Sequence, residues 1–289
     1  MDTLKAVTID FEDWYQGIEQ PFDTWDRFEE RIQTSSDKVL SILDETDTRA
    51  TFFVLGWIAE KYPALVRDIA AAGHEIASHG YDHEKLYETK PDTFRKQLDR
   101  ARKATEDAIG RPVTGHRAPY FTITRKSLWA IDILEELGFL FDASIYPGTN
   151  WRYGIPDTPG TLYMLNETNV VEFPVSTFDI PGGRRVGIGG AYFRILPLFM
   201  TRRALQQRDA LGLVSNLYLH PWEFDPGHPL VRFPWKAMAT HYFNLWATAG
   251  RFRRLLQKER FTTMGAVIDT ARGMGEIPRI DVRQSTDHE

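Results

Sequence analysis

Residues 50–83 read ATFFVLGWIAEKYPALVRDIAAAGHEIASHGYDH, and the fold class follows from them. Residues 50–55 are an apolar, β-prone run, expected as a buried strand. Pro63 opens a segment with apolar residues at helical spacing, which Gly73 stops. Residues 75–77 form a second short apolar run, after which the chain turns polar at Ser78-His79-Gly80-Tyr81-Asp82-His83. The pattern extends in both directions. Strands are predicted at residues 4–9, 115–119, 140–143, 171–174 and 214–219. Helices are predicted at 36–43, 93–109 and 127–137, the last two closed by Gly110 and Gly138. Strands alternating with helices imply a mostly parallel α/β sheet, and this many units predict a distorted (β/α) barrel of about seven strands. In such folds functional side chains collect at the C-terminal ends of the strands. Residues 149–160 and 178–190, rich in Gly, Pro and aromatics, read as long loops walling a cleft. After Asp225 the pattern changes: residues 241–256 form a basic amphipathic helix and 263–271 a final one. The expected organisation is a barrel over 1–225 and a small helical C-terminal extension over 226–289, packed on it.

Composition narrows the function. The formal charge of −5 argues against nucleic acid as a partner, because phosphate binding needs a basic face. The absence of cysteine excludes disulfides and thiolate metal sites, so any metal must be held by histidine and carboxylate. The first residues run straight into a strand with no charged-then-apolar leader, and no run approaches a membrane span, so a soluble cytoplasmic protein is expected. Eight Trp and eleven Tyr are core material first, although some could stack on sugars.

Four segments carry chemistry. His79 and His83 follow a strand and are four residues apart, a spacing that lets two imidazoles converge on one ion. Asp10, Glu12 and Asp13 follow another strand, and such crowded carboxylates are costly unless a cation or base chemistry uses them. Gly115-His116-Arg117-Ala118-Pro119-Tyr120 and Leu217-Tyr218-Leu219-His220-Pro221-Trp222-Glu223 add an arginine and a distant histidine. Together these are the parts of a metal-assisted amide hydrolysis site.

The ordered set TIDFED, the long segment quoted above, GHRAPYF, FDAS and LYLHPWE resembles the five motifs of the NodB-homology polysaccharide deacetylases, carbohydrate esterase family 4. The acidic motif, the His-Pro-Trp-Glu ending and the C-terminal extension resemble the subfamily encoded with exopolysaccharide and exosortase loci. The resemblance implies a hydrolase that removes N-acetyl groups from amino sugars of a polysaccharide or its precursor. It also implies one divalent ion, usually Zn2+, with Co2+, Ni2+ and Mn2+ also suited to such ligands. Residue by residue, Asp10 matches the general base, His79 and His83 the metal ligands, and Arg117 the arginine that holds the base. The backbone N–H of Tyr120, after Pro119, matches an oxyanion donor, and His220 the general acid. Asp142 stands where the family has an aspartate that tunes that histidine. Leu217 or Leu219 would line the acetyl-methyl pocket, with Trp222 beside the substrate. The family pattern has two adjacent aspartates before a glycine, whereas this chain reads Asp10-Phe11-Glu12-Asp13. The third ligand is then Glu12, which shares the face of Asp10 in an extended strand, or Asp13 if the strand bulges. Histidines 74, 116, 228, 241 and 288 are expected to be structural or surface residues, His116 being the first exception to consider. Two other functions fit parts of the pattern: a cyclic amide, imide or formamide hydrolase on the same scaffold, and a catalytically silent carbohydrate-binding module. Retention of both histidines, the base and the acid favours the deacetylase.

Overall fold

Every residue of the strand Lys5–Phe11 is buried, as expected for a parallel strand covered on both faces. In the computed structural model, which describes residues 4–18, 20–149, 153–180, 184–231 and 234–283, this strand (β1) is the second in a nine-stranded sheet. The strands are β1 Lys5–Phe11, β2 Thr51–Val54, β3 Glu75–Ser78, β4 Gly115–His116, β5 Phe141–Asp142, β6 Tyr163–Leu165, β7 Val171–Glu172, β8 Thr177–Ile180, β9 Arg184–Gly187, β10 Ser215–Leu219 and β11 Arg279–Ile280. The sheet order is β10-β1-β2-β3-β4-β5-β7-β6-β11, and β8 pairs with β9 as a separate hairpin. The first seven of these, β10 through β7, are mutually parallel. They are the seven strands that the sequence pattern predicts. Two further strands extend them: β6 antiparallel to β7, and β11 parallel to β6. Among the described residues β10 and β11 are edges, so the sheet is a curled half-barrel.

Side-chain alternation separates the two faces of this sheet. Val7, Ile9 and Phe11 of β1, Phe52 and Val54 of β2, Ile76 of β3, and Leu217 and Leu219 of β10 share one apolar cluster with Val39, Ile42 and Leu43 of the helix Ile32–Glu45 and with Phe252 and Leu255 of the helix Leu245–Leu256. Their neighbours in sequence, Ala6, Phe53 and Ala77, belong to a second cluster on the concave side, with Phe141, Val171 and Val267. The helix Met264–Met274 closes the N-terminal end of the strands. Its first amides, Met264 and Gly265, donate to Thr51 Oγ1 (2.8 Å) and Glu75 Oε2 (3.1 Å), the opening residues of β2 and β3. Lys5 at the start of β1 is tied to Asp209 and Glu259. The opposite, C-terminal end of the concave face is left for polar residues.

Three local expectations change. Residues 178–190 are not wholly loop, because β8 and β9 form a hairpin there; residues 181–183 lie outside the described residues, as do 150–152 of the other loop and His288. The helix expected over 241–256 is two helices, Trp235–Tyr242 and Leu245–Leu256, broken where Asn244 takes a left-handed conformation (φ 56°). A helix at Leu198–Ala210 was masked by its composition, which is arginine-rich and weakly periodic.

Gly115 shows how tightly the strands are fitted. It lies opposite Phe141 in the β4–β5 register, and a Cβ there would overlap the Phe141 ring. Gly115→Ala should therefore destabilise the protein by about 1–3 kcal/mol through overpacking. The change would appear as a lower midpoint in urea unfolding with an unaltered slope, and an unchanged midpoint would mean that the ring moves aside freely.

Candidate active site

The predicted site residues stand at the C-terminal ends of adjacent strands, locked by ladder hydrogen bonds that continue past the strand ends. His79 N donates to Val54 O (2.8 Å), Arg117 N to Ser78 O (2.9 Å) and Ala143 N to His116 O (2.9 Å). Asp10 is the penultimate residue of β1, and parallel register puts it on the concave face with Thr8 and Tyr218. Arg117 is wholly buried. Its Nη1 donates to Asp10 Oδ1 and to Thr8 Oγ1 (2.9 Å), its Nε to Ala143 O (3.2 Å), and the guanidinium lies 4.0 Å over the Phe53 ring. A guanidinium removed from water this completely is tolerable only with a carboxylate partner and further acceptors. Asp10 is thereby fixed through one oxygen, leaving Oδ2 toward the cleft.

Beside it, Glu12, His79 and His83 converge, with one ligand atom from each lying within 4.8 Å of the others. His79 Nδ1 donates to Arg117 O (2.8 Å), a bond that leaves the Nε2 lone pair for a ligand. Burial pushes the His79 pKa down to about 4, so the ring is neutral, the form that binds cations. Glu12 Oε2 lies 2.5 Å from His83 Nε2, yet neither Glu12 Oε2 nor His83 Nδ1 makes a hydrogen bond among the described residues. Burial opposes ionisation of Glu12, but His83, His220 and His79 outweigh it and hold the carboxyl at about 2. Two imidazoles and a carboxylate, buried and aimed at one point, are a donor set that fits a divalent cation. Gly17 packs against this carboxylate so closely that a Cβ would sit 2.6 Å from Glu12 Oε1, and Trp222 Nε1 donates to the same oxygen (3.2 Å).

His220 closes the other side. Its Nε2 lies 3.8 Å from Asp10 Oδ2 and 3.8 Å from Glu12 Oε1, while Nδ1 donates to Glu223 Oε1 (2.7 Å). Glu223 is fully buried, and its second oxygen accepts from Arg194 Nε (2.6 Å). Trp222 stacks on the His220 ring at 5.2 Å and, on its other face, on His241 at 4.2 Å. Tyr120 and Phe121 occupy consecutive left-handed conformations (φ 54° and 56°) at the lip, Tyr120 packing on His83 at 4.5 Å. Two non-glycine residues held this way are strained, a condition that clusters at functional sites.

Residues 5–140 match the family model described as "Polysaccharide deacetylase". The match covers just under half of the chain. Residues 143–269 match a second model, a domain of unknown function, DUF3473. The chain is 30% identical over 171 residues to a peptidoglycan-N-acetylglucosamine deacetylase of Bacillus cereus, an overlap of 58% of this chain and 59% of that protein. It is 35% identical over 98 residues to a chitooligosaccharide deacetylase of Azorhizobium caulinodans, covering 34% of this chain and 44% of that one. The chain thus spans about half the length of these curated relatives. A crystal structure from Mycobacterium smegmatis, described provisionally as a polysaccharide deacetylase, matches with a TM-score of 0.65 at 24% identity, over 96% of this chain and 92% of that one. The fold is therefore shared along nearly the whole chain, not only over the deacetylase-family segment.

Within this framework three assignments change. Asp142 does not touch His220: its carboxylate accepts from His116 Nδ1 (2.7 Å), Ser144 Oγ (2.8 Å) and Ser144 N (3.1 Å), behind Arg117. The carboxylate on His220 is Glu223, three residues on in the same turn. Asp13 points away from the histidines and accepts the amides of Trp14, Arg31 and Ile32 (2.7–2.9 Å), capping the helix Ile32–Glu45. Leu217 and Leu219 lie on the helix-covered face of β10, opposite Tyr218, so they cannot line a pocket at Asp10. Pro119 and Tyr120 do border the cleft, and Trp222 lies against both Glu12 and His220. Glu223, Arg194 and Gly17 are missing from the sequence assignment. Only Glu223 carried a signal, a carboxylate one turn from His220 in HPWE; Arg194 lies in a stretch without motif character.

Glu12→Gln should cut divalent-ion stoichiometry sharply on metal analysis of reconstituted protein. Asp13→Asn should leave the stoichiometry alone and lower the melting temperature, since it strips a buried cap worth about 1 kcal/mol. Loss of metal in the Asp13 variant with Glu12→Gln unaffected would reverse the assignment.

Burial works against a proton on His220, but Glu223, Glu12 and Asp10 outweigh it and raise the pKa from 6.5 to about 9. A raised histidine stabilises the fold fully below its ordinary pKa of 6.5, and that contribution is lost as pH climbs through about 9. Glu223→Gln should move the His220 midpoint in the metal-free protein down toward 6.5, followed by imidazole NMR. Asp142→Asn should not move it.

Proposed function

We propose that this chain is a metal-dependent hydrolase that removes N-acetyl groups from amino-sugar residues of a polysaccharide or its precursor. The observation carrying this reading is the pairing across one buried Glu12/His79/His83 cluster: a carboxylate fixed by Arg117 on one side and a histidine fixed by Glu223 on the other. The family-model match of residues 5–140 and the two named deacetylases among the chain's relatives support it. Glu12, His79 and His83 would hold the ion; Zn2+ suits this donor set, as do Co2+, Ni2+ and Mn2+. When bound, the ion supplies Lewis acidity, polarising the acetamide carbonyl and making water more acidic.

The chain's own residues carry the proton transfers. Asp10 accepts a proton from the attacking water as the water oxygen bonds to the acetyl carbon, with Arg117 holding the carboxylate in place. The Tyr120 backbone N–H faces the developing oxyanion. As the C–N bond breaks, His220 gives its Nε2 proton to the departing sugar amine, and acetate is released. Glu223 holds Nδ1–H, so the proton that leaves is the one facing the cleft. Trp222 and Tyr120 flank the space where the sugar would lie. The HPWE turn and the DUF3473 match over residues 143–269 support placing the chain in the subfamily encoded with exopolysaccharide and exosortase loci.

Two variants test this reading on an N-acetylglucosamine oligomer and on nitrophenyl acetate. Asp10→Asn should retain metal and lose about 10²–10⁴-fold in turnover on the sugar. His220→Ala should lose a comparable factor on the sugar but little on the aryl ester, because phenolate leaves without a proton. Wild-type protein that binds metal but releases no acetate from any N-acetyl sugar would refute the proposal.

A further inference from the structure

Ten large apolar residues stand exposed among the described residues, and seven of them lie between residues 195 and 246: Ile195, Phe199, Leu211, Leu230, Trp235, Phe243 and Trp246. Trp235 and Trp246 are 74% and 79% exposed. The segments bearing them are adjoining. Arg194 Nη1 donates to the carbonyls of His241 (3.0 Å) and Phe243 (2.6 Å), and Asn244 Nδ2 returns a bond to Arg194 O (2.9 Å). Arg251 ties the helix Leu245–Leu256 to Phe193 O (2.7 Å) and to Leu196 O. Tyr242 Oη donates to Pro229 O (2.9 Å), which ties the segment bearing Leu230 to the helix Trp235–Tyr242. An exposed apolar area this concentrated marks an interaction surface.

Charge identifies what it meets. The chain is net −5, yet no Asp or Glu occurs in residues 180–208 or 226–258, where Lys and Arg occur twelve times. The cations sit beside the aromatics. Arg203 follows Phe199 by four residues on the helix Leu198–Ala210. Arg254 follows Trp246 by eight on the helix Leu245–Leu256, and both arginines are exposed. That second helix buries Leu245, Thr248, Phe252, Leu255 and Leu256, which leaves Trp246 and Arg254 on the outer side. Two copies meeting through this face would oppose like charges across a two-fold axis. Indole rings with an arginine rim instead match the interface of an anionic bilayer, where aromatics sit at headgroup level and cations meet lipid phosphate.

We infer that this face docks on the surface of an anionic phospholipid bilayer. No helix among the described residues is long and apolar enough to cross one, so the contact is peripheral. His241, at the end of the docking helix Trp235–Tyr242, stacks on Trp222 beside His220, so docking brings the cleft next to the lipid headgroups.

The test mixes the full chain with vesicles of phosphatidylcholine, alone or with phosphatidylglycerol, and reads co-sedimentation and tryptophan emission. Binding should require phosphatidylglycerol, weaken as salt rises, and shift the emission to the blue. The double variant Trp235→Ala/Trp246→Ala should lose at least about tenfold in partitioning, and Arg203→Glu/Arg254→Glu should lose the preference for anionic vesicles. Both should keep the wild-type melting temperature, since the changed side chains face solvent. The inference is overturned by failure to bind either vesicle, by equal binding to both, or by variants that bind like wild type. A wild-type dimer that the tryptophan variant splits into monomers would also overturn it, assigning the face to a second copy.

Discussion

The guanidinium of Arg117 has no access to water, and much of the concave side of the sheet is arranged around that fact. Desolvating such a group costs several kcal/mol unless its donors are met. Asp10, Thr8 and the Ala143 carbonyl meet those of Nη1 and Nε, and the Phe53 ring packs against the guanidinium beside Nη2, which is unmatched among the described residues. Thr8 and Asp10 come from β1, Phe53 from β2 and Ala143 from the end of β5, so the cation, itself at the end of β4, fixes the relative positions of these strands. The same residue sets the histidine next to it, because the carbonyl of Arg117 takes the Nδ1 proton of His79. One buried charge thus orients a carboxylate through its side chain and an imidazole through its backbone.

The site is assembled from both family segments. Asp10, Glu12, His79, His83 and Arg117 lie within residues 5–140, whereas His220, Glu223 and Arg194 lie within 143–269. Arg194 bonds at once to Glu223 and to the carbonyls of His241 and Phe243, so it links the HPWE turn to the helices that carry the exposed tryptophans. The second segment is therefore more than a cover: it supplies the histidine side of the cleft and what holds that histidine.

Much of this was legible in the sequence because it depends on local pattern. Seven parallel strands followed from short apolar runs, and the convergence of Asp10, Glu12, His79, His83 and Arg117 followed from their positions at strand ends. Strand alternation also favoured Glu12 over Asp13, and Glu12 is the carboxylate that lies with His79 and His83. What failed depends on long-range contacts. The partner of Asp142 was expected to be His220 by family position, but His116 is opposite it in the β4–β5 register and takes the bond. Leu217 and Leu219 read as pocket residues until the parity of β10 against β1 is known. β9 and β11 carry little apolar signal, β6 is apolar but only three residues long, and the helix Leu198–Ala210 lacks a clear stripe, Arg208 being buried through hydrogen bonds to Val214 O and Gly160 O.

The placement of β1 bears on how the chain folds. On one side β1 pairs with β2, about forty residues away, but on the other its partner is β10, and its first residue reaches Asp209 and Glu259 across 204 and 254 positions. A chain growing from its N-terminus can complete one edge of this strand early. The other edge keeps its peptide groups unpaired until the last third of the protein has emerged. Contacts of such sequence separation slow folding and leave an apolar edge open to wrong pairing in the interval. The deacetylase-family segment by itself would stay in that condition indefinitely, with β1 as an uncovered edge.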